Sequence, residues 1–275
     1  MNLWLAILIA VGAAALGVVS ILLVRRRAPE GGHFSDGDRA AGVFGVLATG
    51  FAVLLGLVVV LAFTSYDNTK SGAETEALLV TQQFETAQLL PPRVREPMGA
   101  QLVCYARYVV NVEWPRMESG TQGDRLNPWG VTMFRLLTTV NPQTPAAQAA
   151  YAKWLDQRSD REQARNDRLH GADGIIPTGL WIVLFLTAAV IFVYMLFFAD
   201  RGEPAIVQGV LMGTVVLVIA ATLLVIGSLN NPYQSGFGGL KPTAMERTLR
   251  LLARERVLVR QFSPVPCTAS GQPVT

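Results

Sequence analysis

AAGVFGVLATGFAVLLGLVVVLAF, Ala40–Phe63, decides the fold of this chain. It contains no Asp, Glu, Lys, Arg or His. It is longer than the roughly 20 residues a helix needs to cross a hydrocarbon core of ~30 Å. Working outward, three more runs share this character: Leu3–Val24 before it, and Ile175–Ala199 and Ala205–Leu229 after it. A helix buried in a soluble domain would normally keep a polar stripe, and these do not. The chain therefore reads as an all-α, polytopic membrane protein with four spans in two hairpins.

The spans divide the chain. Residues 1–65 hold the first hairpin, with spans 3–24 and 40–63. Residues 66–174 form a helical extramembrane domain. Residues 175–230 hold the second hairpin, with spans 175–199 and 205–229. Residues 231–275 form an extramembrane tail with an amphipathic helix over 243–261. Hydrophobic residues make up 51% of the chain and charged residues 16%, the balance of a membrane protein with a modest polar part. The net charge of +3 is small and dispersed, so nucleic acid is excluded as a partner. The first run has no positive residue before it and three arginines directly after it, so it reads as a retained span rather than a cleaved signal.

Arg25, Arg26, Arg27 and Arg39 crowd the first short loop. Short loops rich in Lys and Arg stay in the cytoplasm, which places the extramembrane domain outside. The tail, with Lys241, Arg247, Arg250, Arg254, Arg256 and Arg260, argues the other way. Cys104 and Cys267 fall on one side in any four-span topology. On an oxidising side they can form a disulfide, and two unpaired thiols are the alternative.

From Ala40 to Leu90 there is no proline, so the second span continues as one helix of ~50 residues, about 75 Å at 1.5 Å per residue. Ala73, Ala77, Val80, Phe84 and Ala87 give its continuation an apolar face. Gly72 is its weak point, and Pro91-Pro92 ends it. The next helix, Val94–Val112, shows Met98, Leu102, Tyr105, Val109 and Val112 on one face and stops near Pro115. Pro128–Thr139 and Pro145–His170 follow, and the charged Asp156–Arg168 section reads as a solvated face. Pro177 suits a first helical turn. Thr243 and Glu246 have the spacing of a capping box ahead of Met245, Leu249, Leu252 and Val259. That helix lies either on anionic headgroups or against the central domain. Ser263–Thr275 reads as disordered.

Gly42, Gly45, Thr49, Ala52 and Gly56 form one small-residue stripe, and Gly209 and Gly213 form a GxxxG. Small residues let helices approach closely in lipid. The stripes mark either packing within one subunit or an interface and pore wall built from several copies. Phe51 or Phe63 could supply a constriction. The polar residues inside the spans are few and include Thr49, Thr187, Gln208, Thr214 and Thr222. None is ionisable, which argues against a coupled transporter. A pore gated by an apolar constriction fits this composition. Two histidines, His33 and His170, and no HExxH, CxxC, phosphate loop or GxSxG argue against an enzyme. Glu74 and Glu76 read as carboxylates on a solvated helix. No catalytic, metal or cofactor site is expected.

Three stretches carry a family likeness. They are Tyr66-Asp67-Asn68 with Glu74 and Glu76, the segment Tyr105–Met117 with Glu113-Trp114-Pro115, and Leu229-Asn-Asn231-Pro232-Tyr233 with Gly236. Together they resemble the bestrophin-like membrane protein family of bacteria, over about Ala40–Arg254. Many relatives carry Asp-Pro where this chain has Asn231-Pro232. The resemblance implies a remote relation to bestrophins, pentameric anion channels with four spans and a long pore-lining second helix. It implies a bacterial plasma membrane and a homo-oligomer, and assigns no catalytic residues. Bestrophins keep their large domain in the cytoplasm, opposite to the side that Arg25–Arg27 select here. The leading expectation is a homo-oligomeric, anion-conducting channel in contact with membrane lipid. The alternative is a non-conducting scaffold or sensor whose extramembrane domain binds a protein partner.

Overall fold

A computed structural model describes residues 2–120, 126–172, 174, 176–234, 236 and 238–274. The described residues are helical almost throughout: α1 Leu3–Arg25, α2 Gly37–Ala87, α3 Pro92–Tyr108, a π-helical segment Val109–Glu113, α4 Trp114–Glu118, α5 Pro128–Leu137, α6 Pro145–His170, α7 Thr178–Phe197, α8 Ala205–Asn230 and α9 Thr243–Leu258. Helices α1, α2, α7 and α8 are long and apolar enough to cross a membrane. Ile175, the first residue of the third apolar run, lies outside the described residues.

The chain forms two compact units. One comprises Met1–Ser65, Gly174–Asn231 and Ser235–Gly239; the other comprises Tyr66–Asp173, Pro232–Gln234 and Leu240–Thr275. Helix α2 contributes to both and runs unbroken for 51 residues.

In the membrane unit, α1 packs along α8 where side chains are smallest. A Cβ on Gly17 would lie 2.9 Å from Val216 Cγ2, and one on Gly213 would lie 3.0 Å from Val18 Cγ2. Phe51, Leu55 and Val58 of α2 pack with Leu184 and Ile191 of α7 and Ile226 of α8. The short loops are tied together. Arg25 Nη2 donates to the carbonyls of Arg201 (3.0 Å) and Glu203 (2.5 Å), Arg201 to that of Arg26, and Gly31 N to Asp200 Oδ1 (3.0 Å). No more than 22% of any span's most apolar stretch is buried within the chain. The rest must meet lipid or other subunits, because apolar surface of that extent does not stay in water.

The extramembrane unit has a conventional core. Phe84, Met98, Leu102, Tyr105, Val109, Met133 and Trp154 are nearly fully buried. Prolines and caps set its boundaries. Asn127 Oδ1 accepts from Trp129 N (3.1 Å) and Thr144 Oγ1 from Ala147 N (3.1 Å), each with proline as the next residue. Pro115 does not stop the chain, contrary to expectation. It has no N–H to give to the carbonyl of Asn111, and its ring would strike that carbonyl in a regular helix. The helix widens into the π segment instead, with Trp114 N donating to Val109 O, and continues as α4.

Three further expectations need correction. Gly72 is not a break: a Cβ there would lie 2.8 Å from Ala164 O and 2.9 Å from Arg168 N. The missing side chain lets α6 lie directly on α2. The segment after α9 is folded up to Val274, with Cys267 bonded to Cys104, a bridge between Cys267 and Pro273, and Trp129 Nε1 donating to Gly271 O at 2.6 Å; Thr275 lies outside the described residues. Helix α9 packs on the extramembrane core through Met245, Thr248 and Leu252. Val259, expected on that face, is exposed just past its end, because the helix stops at Leu258.

Candidate functional site

Two constellations stand out, one in each unit. The first is the small-residue stripe of α2. At 100° per residue, Gly42, Gly45, Thr49, Ala52, Gly56 and Phe63 share an arc of about 80°. All six are exposed. A Cβ on Gly42, Gly45 or Gly56 would meet nothing within 4 Å. Phe51 lies about 140° from the middle of this arc and is buried among α7 and α8 side chains. It is therefore not available as a constriction on the stripe, whereas Phe63 is 57% exposed on it. Gly209 and Gly213 do not join the stripe, since Val18 of α1 fills the space above them. Arg25 is engaged with loop carbonyls, while Arg26 and Arg27 are exposed.

The second constellation is a buried ionic network, and it overturns two expectations. The section Asp156–Arg168 is not simply a solvated face, and Glu76 is not solvated. Arg161 and Arg168 are fully buried, as is Glu76, and Glu113 and Arg165 are nearly so. Arg168 Nε and Nη2 donate to Glu76 Oε2 and Oε1 (2.5 and 3.1 Å), and Nη2 also reaches Glu113 Oε2 (2.5 Å). Arg165 Nη2 donates to Glu113 Oε1 (3.0 Å), and Asn127 Nδ2 to the same oxygen (3.3 Å). Tyr105 OH donates to Glu76 Oε1 (2.6 Å) and Arg161 Nη1 to Gln83 Oε1 (2.7 Å). The Arg161 guanidinium also lies over the Tyr105 ring, 4.6 Å from its centroid. Tyr233 OH donates to Arg168 O (2.6 Å) and its ring meets Trp114 edge-on.

The electrostatics follow from this geometry. Burial alone would raise the Glu113 carboxyl, but Arg168 and Arg165 outweigh it and hold the group below the usual carboxylate range. Burial would weaken the charge of Arg168, and Glu76 and Glu113 reverse that, keeping it firmly protonated. Burial and the Glu76 carboxylate push the Tyr105 phenol well above its ordinary value, so it stays a hydrogen-bond donor. The carboxylates are fully engaged, and among the described residues no group of three or more His, Cys, Asp or Glu could hold a metal ion. The network is built to fix α2, α6 and the π segment together.

A signal for this network lay in the sequence. Ala147, Ala150, Trp154, Gln157, Arg161, Ala164 and Arg168 recur at alternating three and four residues, and every one is buried. The stripe begins apolar and ends cationic, so hydropathy followed only its first half. Thr69, Gly72, Glu76 and Gln83 of α2 form the matching face. Of the family residues, Glu113 is the clamp on Arg165 and Arg168, Trp114 is buried against Tyr233, and Pro115 explains the π segment. Pro232 O accepts from Leu240 N (2.8 Å) and the Asn231 side chain caps Gly227 O (3.4 Å).

Comparison with known proteins agrees with this architecture. A point variant of a bacterial bestrophin homologue from Klebsiella pneumoniae superimposes with a TM-score of 0.67 at 12% identity, covering 90% of this chain and 98% of that one. Another variant of the Klebsiella pneumoniae homologue gives 0.66 at 12% identity, over 91% and 97%. A crystal structure described as a membrane protein gives 0.66 at 12% identity, over 99% and 100%. At such identities the likeness is one of fold. No curated protein matches the sequence. The model of the bestrophin-like domain, however, matches residues 11–245, and with the four spans and the long second helix this places the chain in the bestrophin-like family.

Proposed function

We propose that the protein is a homo-oligomeric channel of the bacterial plasma membrane, with the α2 stripe facing the axis of a ring of subunits. The observation that carries this reading is the open stripe itself. Gly42, Gly45, Thr49, Ala52 and Gly56 have no partner within 4 Å where a Cβ would stand or are exposed, while the opposite face of the same helix is buried. A span that leaves its smallest residues unpacked is suited to contact with other copies. Phe63 is the constriction candidate, because it lies on the same arc. Anions as the permeant species rest on the family relation alone.

The side of the membrane is part of this proposal. The bond between Cys104 and Cys267 suits an oxidising compartment, and Arg25, Arg26, Arg27 and Arg39 select the cytoplasm for the first short loop. Both support an extramembrane unit outside the cell. Native mass spectrometry of the detergent-purified protein is the first test. A closed ring of four or more subunits, followed by anion flux in liposomes that rises on Phe63→Ala and falls on Gly45→Leu substitution, is the expected result. A monomer or dimer stable across mild detergents leaves no central pore and turns the reading to a scaffold or sensor.

A further inference from the structure

Gln208, the one amide side chain inside the four spans, lines an open cavity of about 410 Å³ in the membrane unit. Its walls are apolar: Ile21 of α1, Phe44 of α2, Met195 and Phe198 at the end of α7, and Met212 of α8. Gln208 is 6% exposed. Its Nε2 donates to Asp200 O (2.8 Å) and Glu203 Oε2 (3.4 Å). Both neighbours are acceptors, so the amide cannot be turned the other way. This leaves Oε1 buried with no hydrogen-bond partner, and a buried acceptor without one is costly. Glu203 lines the same cavity and is an exposed residue, and Arg25 reaches its backbone carbonyl with its guanidinium.

We infer that this crevice binds one phospholipid bearing a primary ammonium, of the ethanolamine type. The cavity lies between spans at their short-loop end and exceeds the lower bound of ordinary ligand pockets, about 300 Å³, so an acyl segment can fill its apolar part. A primary ammonium has three N–H donors and meets both waiting acceptors, Gln208 Oε1 and the Glu203 carboxylate. The neighbouring Arg25 supplies the cation for the lipid phosphate. A choline headgroup has no N–H to donate. A glycerol headgroup can donate a hydroxyl but brings no cation to Glu203. The pairing of acceptor, carboxylate and guanidinium therefore selects a zwitterion with donor hydrogens.

The test uses the delipidated full chain in detergent, with native mass spectrometry of adducts formed with ethanolamine, choline and glycerol phospholipids of identical acyl chains. The ethanolamine lipid is expected to be retained roughly tenfold better, the factor one charge-assisted hydrogen bond supplies. Glu203→Gln should reduce that preference, Gln208→Leu should abolish it, and Ala41→Trp, which fills the crevice, should lower retention of all three lipids. Should Gln208→Leu fail to fold through loss of its bond to Asp200, the exposed Glu203→Gln variant carries the test. Equal retention of the three headgroups overturns the inference, as does a preference unchanged in the variants. Cross-linking of an Ala41→Cys variant to a second subunit, with no lipid retained, would show the crevice covered by protein and overturn it too.

Discussion

The two halves of α2 bury opposite chemistry. Between Ala40 and Phe63 the helix buries Phe51, Leu55 and Val58 and leaves its glycines open. Between Thr69 and Ala87 it buries Thr69, Glu76 and Gln83 beside Val80 and Phe84. In lipid, apolar contact gives no hydrophobic advantage, so specificity must come from shape and small residues. Outside lipid, apolar burial drives folding and leaves room for a few ions, provided every one is matched. One helix thus carries an open, small-residue surface along one stretch and an ionic anchor along another. The difference predicts that substitutions will separate into those that unfold the extramembrane unit and those that leave each subunit intact.

Arg168→Met is the largest expected effect. It strips Glu76 of two hydrogen bonds and Glu113 of one, leaving a fully buried carboxylate without its cation. Breaking a buried pair in this way costs about 3–5 kcal/mol. Thermal unfolding followed by fluorescence of Trp114, Trp129 and Trp154 should show it. Pairing the change with Glu76→Gln should recover part of the loss, since that second change removes the stranded charge. A stability within error of the parent protein would mean that the network does not hold the unit together.

Loss of the disulfide should come next. Cys104 and Cys267 are separated by 163 residues, and cross-links of long loops typically contribute about 2–4 kcal/mol. Cys267→Ser should lower the unfolding temperature and expose the segment after α9 to protease. It should leave the spans unaffected, and reduction of the parent protein should reproduce it. Retention of protease resistance without the bond would assign the order of that segment to Trp129 and Gly271 instead.

Acid gives a graded version of the first experiment. The Glu113 carboxyl is held below its ordinary 4.5 by Arg168 and Arg165 despite its burial. Its ionised form is therefore preferred in the folded state. That stability is fully present above the ordinary value and is lost as pH falls through the depressed one. Unfolding temperature measured from pH 7 downward should hold until about 4.5 and then drop. Glu113→Gln should start lower and fall less over the same window. An equal slope in the two proteins would assign acid sensitivity to other carboxylates.

These experiments bear on what could be read from the sequence. The spans were legible because absence of charge over a long run is a local property, and the prolines and caps that bound α3, α5 and α6 are local too. The network was not legible. Glu76 and Arg168 lie 92 residues apart, and a charged residue scored by itself is always assigned to water. Its trace was the regular spacing of Trp154, Gln157, Arg161 and Arg168, which a search for apolar faces passes over. Gly72 was misread for the same reason: a helix-weakening residue in isolation is a contact residue once α6 lies on it. Phe51 and Phe63 could have been separated from helical phase alone, because only Phe63 shares the arc of the glycines.

The smallest expected effect on a single subunit is the most informative about function. Gly17→Leu should disturb the α1–α8 contact, where a Cβ already approaches Val216 to 2.9 Å, at a cost of about 1–3 kcal/mol for overpacking. Gly45→Leu places the same side chain where nothing stands within 4 Å, so the stability of an isolated subunit should change by no more than about 0.5 kcal/mol. If α2 faces other copies, Gly45→Leu should nevertheless weaken the oligomer or block flux, because the added bulk meets its clash only between subunits. Stoichiometry by native mass spectrometry and liposome flux, measured for both variants, separate the cases. Loss of assembly or flux in Gly45→Leu at unchanged subunit stability places the interface on the stripe. If assembly and flux both survive, the open glycines face lipid, and the channel axis must be sought on another face.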